Sequence, residues 1–266
     1  MERMIDVIRF PLSKDRLRAM PKEERALFFL LGYAANEITL FEKLVIFSTN
    51  KTPADPVEQR ISGAQTQMLA RFVIGILFET WRLIHSRFLS TSIGKEFAAK
   101  LNPTGQTALA ELKKHFRGSH LLKKLRNSVA FHHPYDSDMD AAFEAAARHS
   151  DWDGDWNWYH SHVIFNSFYF VSDLVILHAI LNAAEETNLI KAQKKIMADV
   201  NKVSEHMIEF IYALSEAILA KHFGSEMTPE VVAKIEDAPS VLDVWLPFYV
   251  EIPAGNPSLG AAQDRA

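Results

Sequence analysis

Arg71-Phe72-Val73-Ile74-Gly75-Ile76-Leu77-Phe78-Glu79-Thr80-Trp81-Arg82-Leu83-Ile84 decides the fold class of this chain. Phe72, Ile76, Glu79 and Leu83 fall on one row, with Val73, Leu77, Trp81 and Ile84 on the row beside it. Three-to-four spacing describes a helix with a core-facing stripe, whereas a strand would alternate with a period of two. The pattern reaches back to about Val57 and forward to about Leu89, which predicts one long helix. Upstream, Lys51-Thr52-Pro53-Ala54-Asp55-Pro56 is a break. Before that break, Pro21-Lys22-Glu23-Glu24 opens another long helix to about Ser48, because proline suits a first turn and acids there complement the helix dipole.

Downstream, Ser92 to Leu101 predicts a short helix and Asn102-Pro103-Thr104-Gly105 a turn. Thr107 to Phe116 is helical, Arg117-Gly118 interrupts it, and Ser119 is an N-cap for a helix ending near His132. Pro134 disfavours helical geometry at His133 and sets that end. Ser137 with Asp140 resembles a capping box for an alanine-rich helix to about His149. A loop over Ser150 to Trp156 precedes two long helices, about Trp158 to Glu186 and Leu189 to Phe223. Thr228-Pro229-Glu230 has the form of a further helix start. The expectation is an all-α bundle of long antiparallel helices over residues 21–223. A lead occupies 1–20, a helical and Pro-rich extension 224–253, and a small, polar tail 254–266, expected to be disordered.

Composition narrows the chemistry. The chain has 266 residues, 48% of them hydrophobic, enough for a sizeable core. A net charge of only −4 gives no global field for nucleic acid or anionic membrane. The absence of cysteine excludes disulfides, thiolate nucleophiles and Cys-based metal sites, and fits a reducing cytoplasm. Met1 to Asp6 lacks the apolar core of a signal peptide. The apolar stretches Ala26–Phe47 and Val163–Ala184 are interrupted by polar residues, whereas a spanning helix needs about 20 nearly unbroken apolar ones. A cytoplasmic protein without membrane partners is therefore expected. No GxGxxG, Walker loop, HExxH or GxSxG is present.

The segment that carries chemistry is Leu125-Arg126-Asn127-Ser128-Val129-Ala130-Phe131-His132-His133-Pro134-Tyr135. It groups a permanent cation, an amide and two imidazoles that titrate near neutrality. Six basic residues (Lys113, Lys114, Arg117, Lys123, Lys124 and Arg126) and no acid lie between Leu112 and Arg126. Seven acids follow between Asp136 and Asp155. A solvated helix face explains such a run by itself; its adjacency to Arg126 and the histidines also suits RNA phosphates.

An Arg followed by a polar residue, then a His after four to six intervening residues near a helix end, resembles the signature of HEPN domains. Five residues separate Arg126 from His132, and six separate it from His133. The resemblance covers about Pro21 to Phe223. It implies an all-α bundle, typically a homodimer with two motifs facing across a shared cleft. It also implies either a metal-independent ribonuclease of the toxin or defence kind, needing no cofactor, or a non-catalytic member that dimerises or binds nucleic acid or protein. In this reading Arg126 clamps phosphate, His132 or His133 transfers protons, and Asn127 orients the site. His132 lies closer to the centre of the family's spacing. Tyr135, two residues after His133, matches a tyrosine that a partner nucleotidyltransferase modifies in some HEPN toxins, so an antitoxin partner of that kind is a further implication. Glu79-Thr80-Trp81-Arg82 resembles an acidic-then-basic pair on an earlier helix of some members.

Other features have plainer readings. A cation at a helix C-terminus gains about 0.3–1 kcal/mol from the dipole, so Arg126 has a structural reading as well. Asp151-Trp152-Asp153-Gly154-Asp155 has alternating acids but lacks the bidentate Glu of a calcium loop. Trp152, Trp156 and Trp158 suggest a lid packed on the bundle, or a platform for bases. His160 and His162, two apart at a helix start, should not share a face. No Glu-x-x-His pair supports a di-iron centre on helix-borne carboxylates.

Overall fold

Asp55 accepts hydrogen bonds from the amides of Val57 and Glu58, and Pro56 sits at the first helical position. This cap opens α3, Pro56–Ile84, which continues through a π-helical turn, His85–Leu89. The preceding α2, Lys22–Thr49, starts on Pro21 with Glu23 and Glu24 in its first turn. A computed structural model describes residues 4–118, 121–129, 136–148, 156–163, 165–224 and 228–251. Its other helices are α1 (Lys14–Ala19), α4 (Ser92–Phe97), α5 (Pro103–Phe116), α6 (Leu121–Val129), α7 (Asp136–Ala146), α8 (Phe170–Ala184) and α9 (Leu189–His222). Among the described residues the fold is all-α apart from one small two-stranded sheet.

The helices α2 and α3 run antiparallel. The Thr66 hydroxyl donates to Ser48 near the connecting loop, and Phe41 lies 5.9 Å from Phe72 farther along. α9 lies antiparallel on α2, with Lys221 beside Glu24 and Ser204 beside Glu42. Buried Leu27, Leu31 and Ile38 of α2, Val73, Leu77 and Ile84 of α3, and Met207, Phe210 and Leu214 of α9 form one core. Each such side chain contributes about 1.5–3 kcal/mol when fully removed from water. A second apolar cluster joins Ile61 and Ala64 of α3 to Phe170, Leu174 and Leu181 of α8. Arg71 bridges α3 to Asp173 of α8 at 3.3 Å.

Two glycines set close approaches. A Cβ at Gly105 would sit 2.2 Å from the Ala213 Cβ, so α5 packs directly on α9 there. A Cβ at Gly94 would meet the Phe88 carbonyl oxygen at 2.2 Å, which seats α4 on the π-helical turn.

Several expectations need correction. Phe72 is 47% exposed and Glu79 is exposed while Ile76 of the same row is buried, so that row straddles the outer margin of α3, and Val73, Ile74, Leu77 and Ile84 are the core side. Asn102-Pro103-Thr104-Gly105 starts α5 instead of turning: Asn102 caps the Gly105 amide and Pro103 takes the first helical position. Residues 158–163 and 165–169 are not helical. Tyr159 and Phe168 exchange backbone hydrogen bonds at 2.8 and 2.7 Å. Within that segment, Ser161 and Ser167 hydroxyls accept from backbone amides and compete with helix formation. Thr228-Pro229-Glu230 leads into β2, Glu230–Ile235, which pairs antiparallel with β1, Ile5–Arg9. After β2, residues 241–246 dock on the end of α2: Asn50 donates to the Val244 carbonyl at 2.7 Å and Lys51 lies over the Trp245 ring.

Among the described residues, the one helix long and apolar enough to cross a membrane by length and composition is Pro56–Leu89. Of its apolar window, 61% is buried inside the fold.

Candidate functional site

α6 is anchored by Leu122 and Leu125, which are essentially inaccessible, and it presents Lys123 and Lys124 to solvent on the other side. Arg126 lies in the last turn, at the margin between these faces, as the sequence pattern expects of a cation near a helix end. Its guanidinium reaches Glu79 Oε1 of α3 at 3.5 Å. Glu79 also accepts from Arg82 Nη1 at 3.1 and 3.0 Å. One carboxylate thus stands between two guanidiniums from two helices. Glu79 and Arg82 are 51% and 68% exposed, so the cluster is open to solvent.

Such an arrangement has a defined chemical capacity. Guanidiniums fork onto phosphate oxygens, and an exposed ion pair contributes only about 0–1 kcal/mol. A phosphate at this point would compete with Glu79 for Arg82, 68% exposed, and for Arg126, 27% exposed. Adjacent along α3, Trp81 stacks on Phe116 of α5 at 4.7 Å, with Phe78 edge-on to the same ring at 5.2 Å.

The basic run is less uniform than its sequence implies. Lys124 pairs with Glu185 at 2.6 Å, and the Lys124 hydrogen bond pulls the Glu185 carboxyl below its ordinary pKa. Glu111 stands 3.8 Å from Lys114 and 3.7 Å from Lys202 of α9. Lys113 and Arg117 are exposed at the end of α5. His115 is pushed below its ordinary pKa, chiefly by burial. Glu185 gave no sequence signal, lying 61 positions from Lys124; Glu111 sits just outside the acid-free run.

The Asn127 side chain, and all of His132, His133 and Tyr135, lie outside the described residues, as do Asp151 to Asp155 and Trp152. Trp156 is packed, edge-on to Phe143 at 5.6 Å in the second core cluster. Trp158 is 57% exposed and stacks on Tyr169 at 5.1 Å, so it is a surface ring and not part of a buried lid. His160 is edge-on to Trp158 in the irregular segment. His162 occupies the same segment, where no helix face exists to relate the two histidines. No protein-family model, no curated protein and no solved structure matches this chain.

Proposed function

We propose that the chain is a metal-independent endoribonuclease of the HEPN kind, acting in the cytoplasm as a homodimer with the Arg126 segments of two copies facing each other. The observation that carries the reading is the pair of guanidiniums, Arg126 and Arg82, held around Glu79 at the end of α6. The exposed Lys113, Arg117 and Lys123 add cations along α5 and α6 for flanking RNA phosphates.

In this mechanism His132 or His133 takes the proton from an RNA 2′-OH. The 2′-oxygen attacks the adjacent phosphorus, the bond from phosphorus to the 5′-oxygen breaks, and a histidine protonates the leaving oxygen. Arg126 steadies the charge that develops on the non-bridging oxygens, and Asn127 orients the phosphate. The products end in a 2′,3′-cyclic phosphate and a 5′-hydroxyl. An antitoxin that modifies Tyr135 belongs to the same reading.

The test is cleavage of single-stranded RNA in EDTA, with end-group analysis. Activity that is lost in Arg126→Ala and in the His132→Ala, His133→Ala double variant, with cyclic-phosphate ends in the wild type, supports the reading. Absence of cleavage, with cellular toxicity unchanged by these variants, sinks it. The non-catalytic alternative rests on the Glu79 pairing itself, which leaves Arg126 engaged without substrate. RNA binding without cleavage would favour that alternative.

A further inference from the structure

We propose that the cationic surface of α6 continues onto the start of α9, where Lys191, Lys194, Lys195 and Lys202 carry the backbone of a single-stranded RNA away from Arg126. The proposal deepens the ribonuclease reading and rests on it for the choice of RNA as the polyanion. Asn188 caps α9 by accepting from the Lys191 amide at 3.0 Å. Ala192, Ile196, Val200, Val203 and Met207 then bury the side of the helix that meets the core. At 3.6 residues per turn, the four lysines fall within an arc of about 100° roughly opposite that buried row. All four are exposed, and the stripe spans about 16 Å along the helix.

Contacts at the end of α8 join this stripe to α6. Lys124 of α6 pairs with Glu185 at 2.6 Å, while Lys195 donates to the Ala184 carbonyl at 2.7 Å and stands 3.9 Å from Glu186. On the α5 side, Lys202 shares Glu111 with Lys114, at 3.7 and 3.8 Å. Lys195 and Lys202 are therefore partly neutralised, whereas Lys191 and Lys194 make no ion pair among the described residues. Scattered exposed lysines need no partner beyond water. Here the whole chain carries a net charge of −4, yet Asp199 is the only acid between Thr187 and Glu205. Cations gathered on one side of α9, continuous with those of α5 and α6, match a polyanion in charge. A single file of cations serves one backbone, hence a single strand. The stripe holds no aromatic ring, so it grips phosphates without stacking bases or reading sequence.

The probe is a fluorescent 2′-O-methyl RNA of about 12 nucleotides, within the span of single-strand sites, which lacks the 2′-OH that cleavage would use. Anisotropy over a salt series on the full chain reads its binding. The Lys191→Ala, Lys194→Ala double variant is expected to bind roughly tenfold more weakly at low salt. Its slope of log affinity against log salt should fall by about 1.4, since each single-strand phosphate contact contributes about 0.7. The Lys191→Arg, Lys194→Arg variant should restore both values. Lys22→Ala should change neither, because α2 begins beside the opposite end of α9. A double alanine variant that binds like wild type overturns the proposal, as does a wild type that binds no RNA. Displacement of the RNA by polyglutamate at equal charge overturns it too, since an acidic chain would then serve as well. Lysine-dependent binding without any cleavage leaves this tract standing and removes the nuclease. Arg126-dependent cleavage with binding indifferent to the lysines does the reverse, so the two failures are distinguishable.

Discussion

Two clusters of acids and bases tie helices together in this protein, and they differ in how much water they see. In the first, Glu24 of α2 accepts from Lys221 at 2.9 Å and meets His222 Nε2 at 2.7 Å, both at the end of α9. Lys221 also reaches Glu96 of α4, which holds Lys100. Glu24 is only 8% exposed. In the second, Glu79 joins Arg126 and Arg82 but is half in solvent. The same residue chemistry thus yields a buried structural joint in one place and a more solvent-open cluster, proposed above as a phosphate site, in the other. Burial decides which, because a buried charge cannot be left alone, whereas an exposed one is rehydrated on losing its partner.

The largest expected effect is on the buried cluster. Glu24→Ala should cost about 3 kcal/mol of unfolding free energy, the low end for breaking a buried pair, since Lys221 keeps Glu96. Denaturant titration measures it. A change below about 1 kcal/mol would place Glu24 in the same class as Glu79 and dissolve the contrast.

Arg126→Ala should show the reverse pattern. Loss of a charge-stabilising donor typically slows chemistry by about 100- to 1,000-fold, whereas a half-open ion pair contributes about 1 kcal/mol or less to stability. RNA cleavage rates and a thermal melt on the same sample separate the two. A variant that unfolds without a specific loss of cleavage makes Arg126 a structural residue.

Acid titration sharpens the contrast further. Burial by itself would raise the Glu24 carboxyl, but hydrogen bonds from Lys221 and His222 more than reverse this and hold it below its ordinary 4.5. Hydrogen bonds from Lys100 and then Lys221 bring Glu96 down to about 2. A carboxylate lowered in the folded state contributes stability that is complete above its unfolded pKa and is lost as pH falls through the folded value. Melting temperature should therefore drop as pH falls from 4.5 toward about 2. Glu24→Gln, which cannot ionise, should flatten part of that drop. An unchanged pH profile in Glu24→Gln would move the acid sensitivity elsewhere.

How much of this was legible in the sequence follows the distance over which each contact acts. The helices α2, α3 and α9 were readable because their apolar spacing is local and sustained over many turns. β1 and β2 were not, since Ile5 finds Ile235 across nearly the whole chain and the local Thr228-Pro229-Glu230 pattern points to a helix. Residues 158–163 and 165–169 failed for another reason: serine hydroxyls capture backbone amides that a helix would use. At the site, Arg126 near a helix end and the Glu79–Arg82 pair were both visible, one from the motif and one from i,i+3 spacing. Their meeting was not, because nothing within α6 encodes which turn of α3 it packs against. Glu185, the partner of Lys124, was hidden for the same reason, whereas Glu111 stands three residues from Lys114 on the same helix.

Glu79 provides the smallest effect and the finest discrimination. Glu79→Gln should change stability by no more than about 0.5 kcal/mol, as for other exposed substitutions. It keeps the side-chain length and a hydrogen-bonding oxygen but removes the anion that Arg126 and Arg82 share. If Glu79 only occupies a position that an RNA phosphate takes on binding, its removal should tighten binding of a non-cleavable oligonucleotide by a few-fold. The effect should shrink in high salt, where the released guanidiniums are screened. If Glu79 instead holds the two guanidiniums in a productive spacing, binding would stay level and cleavage would fall, because the phosphate would be gripped in the wrong geometry. Fluorescence anisotropy and single-turnover cleavage on the same variant therefore distinguish a carboxylate that competes with substrate from one that positions the residues that bind it.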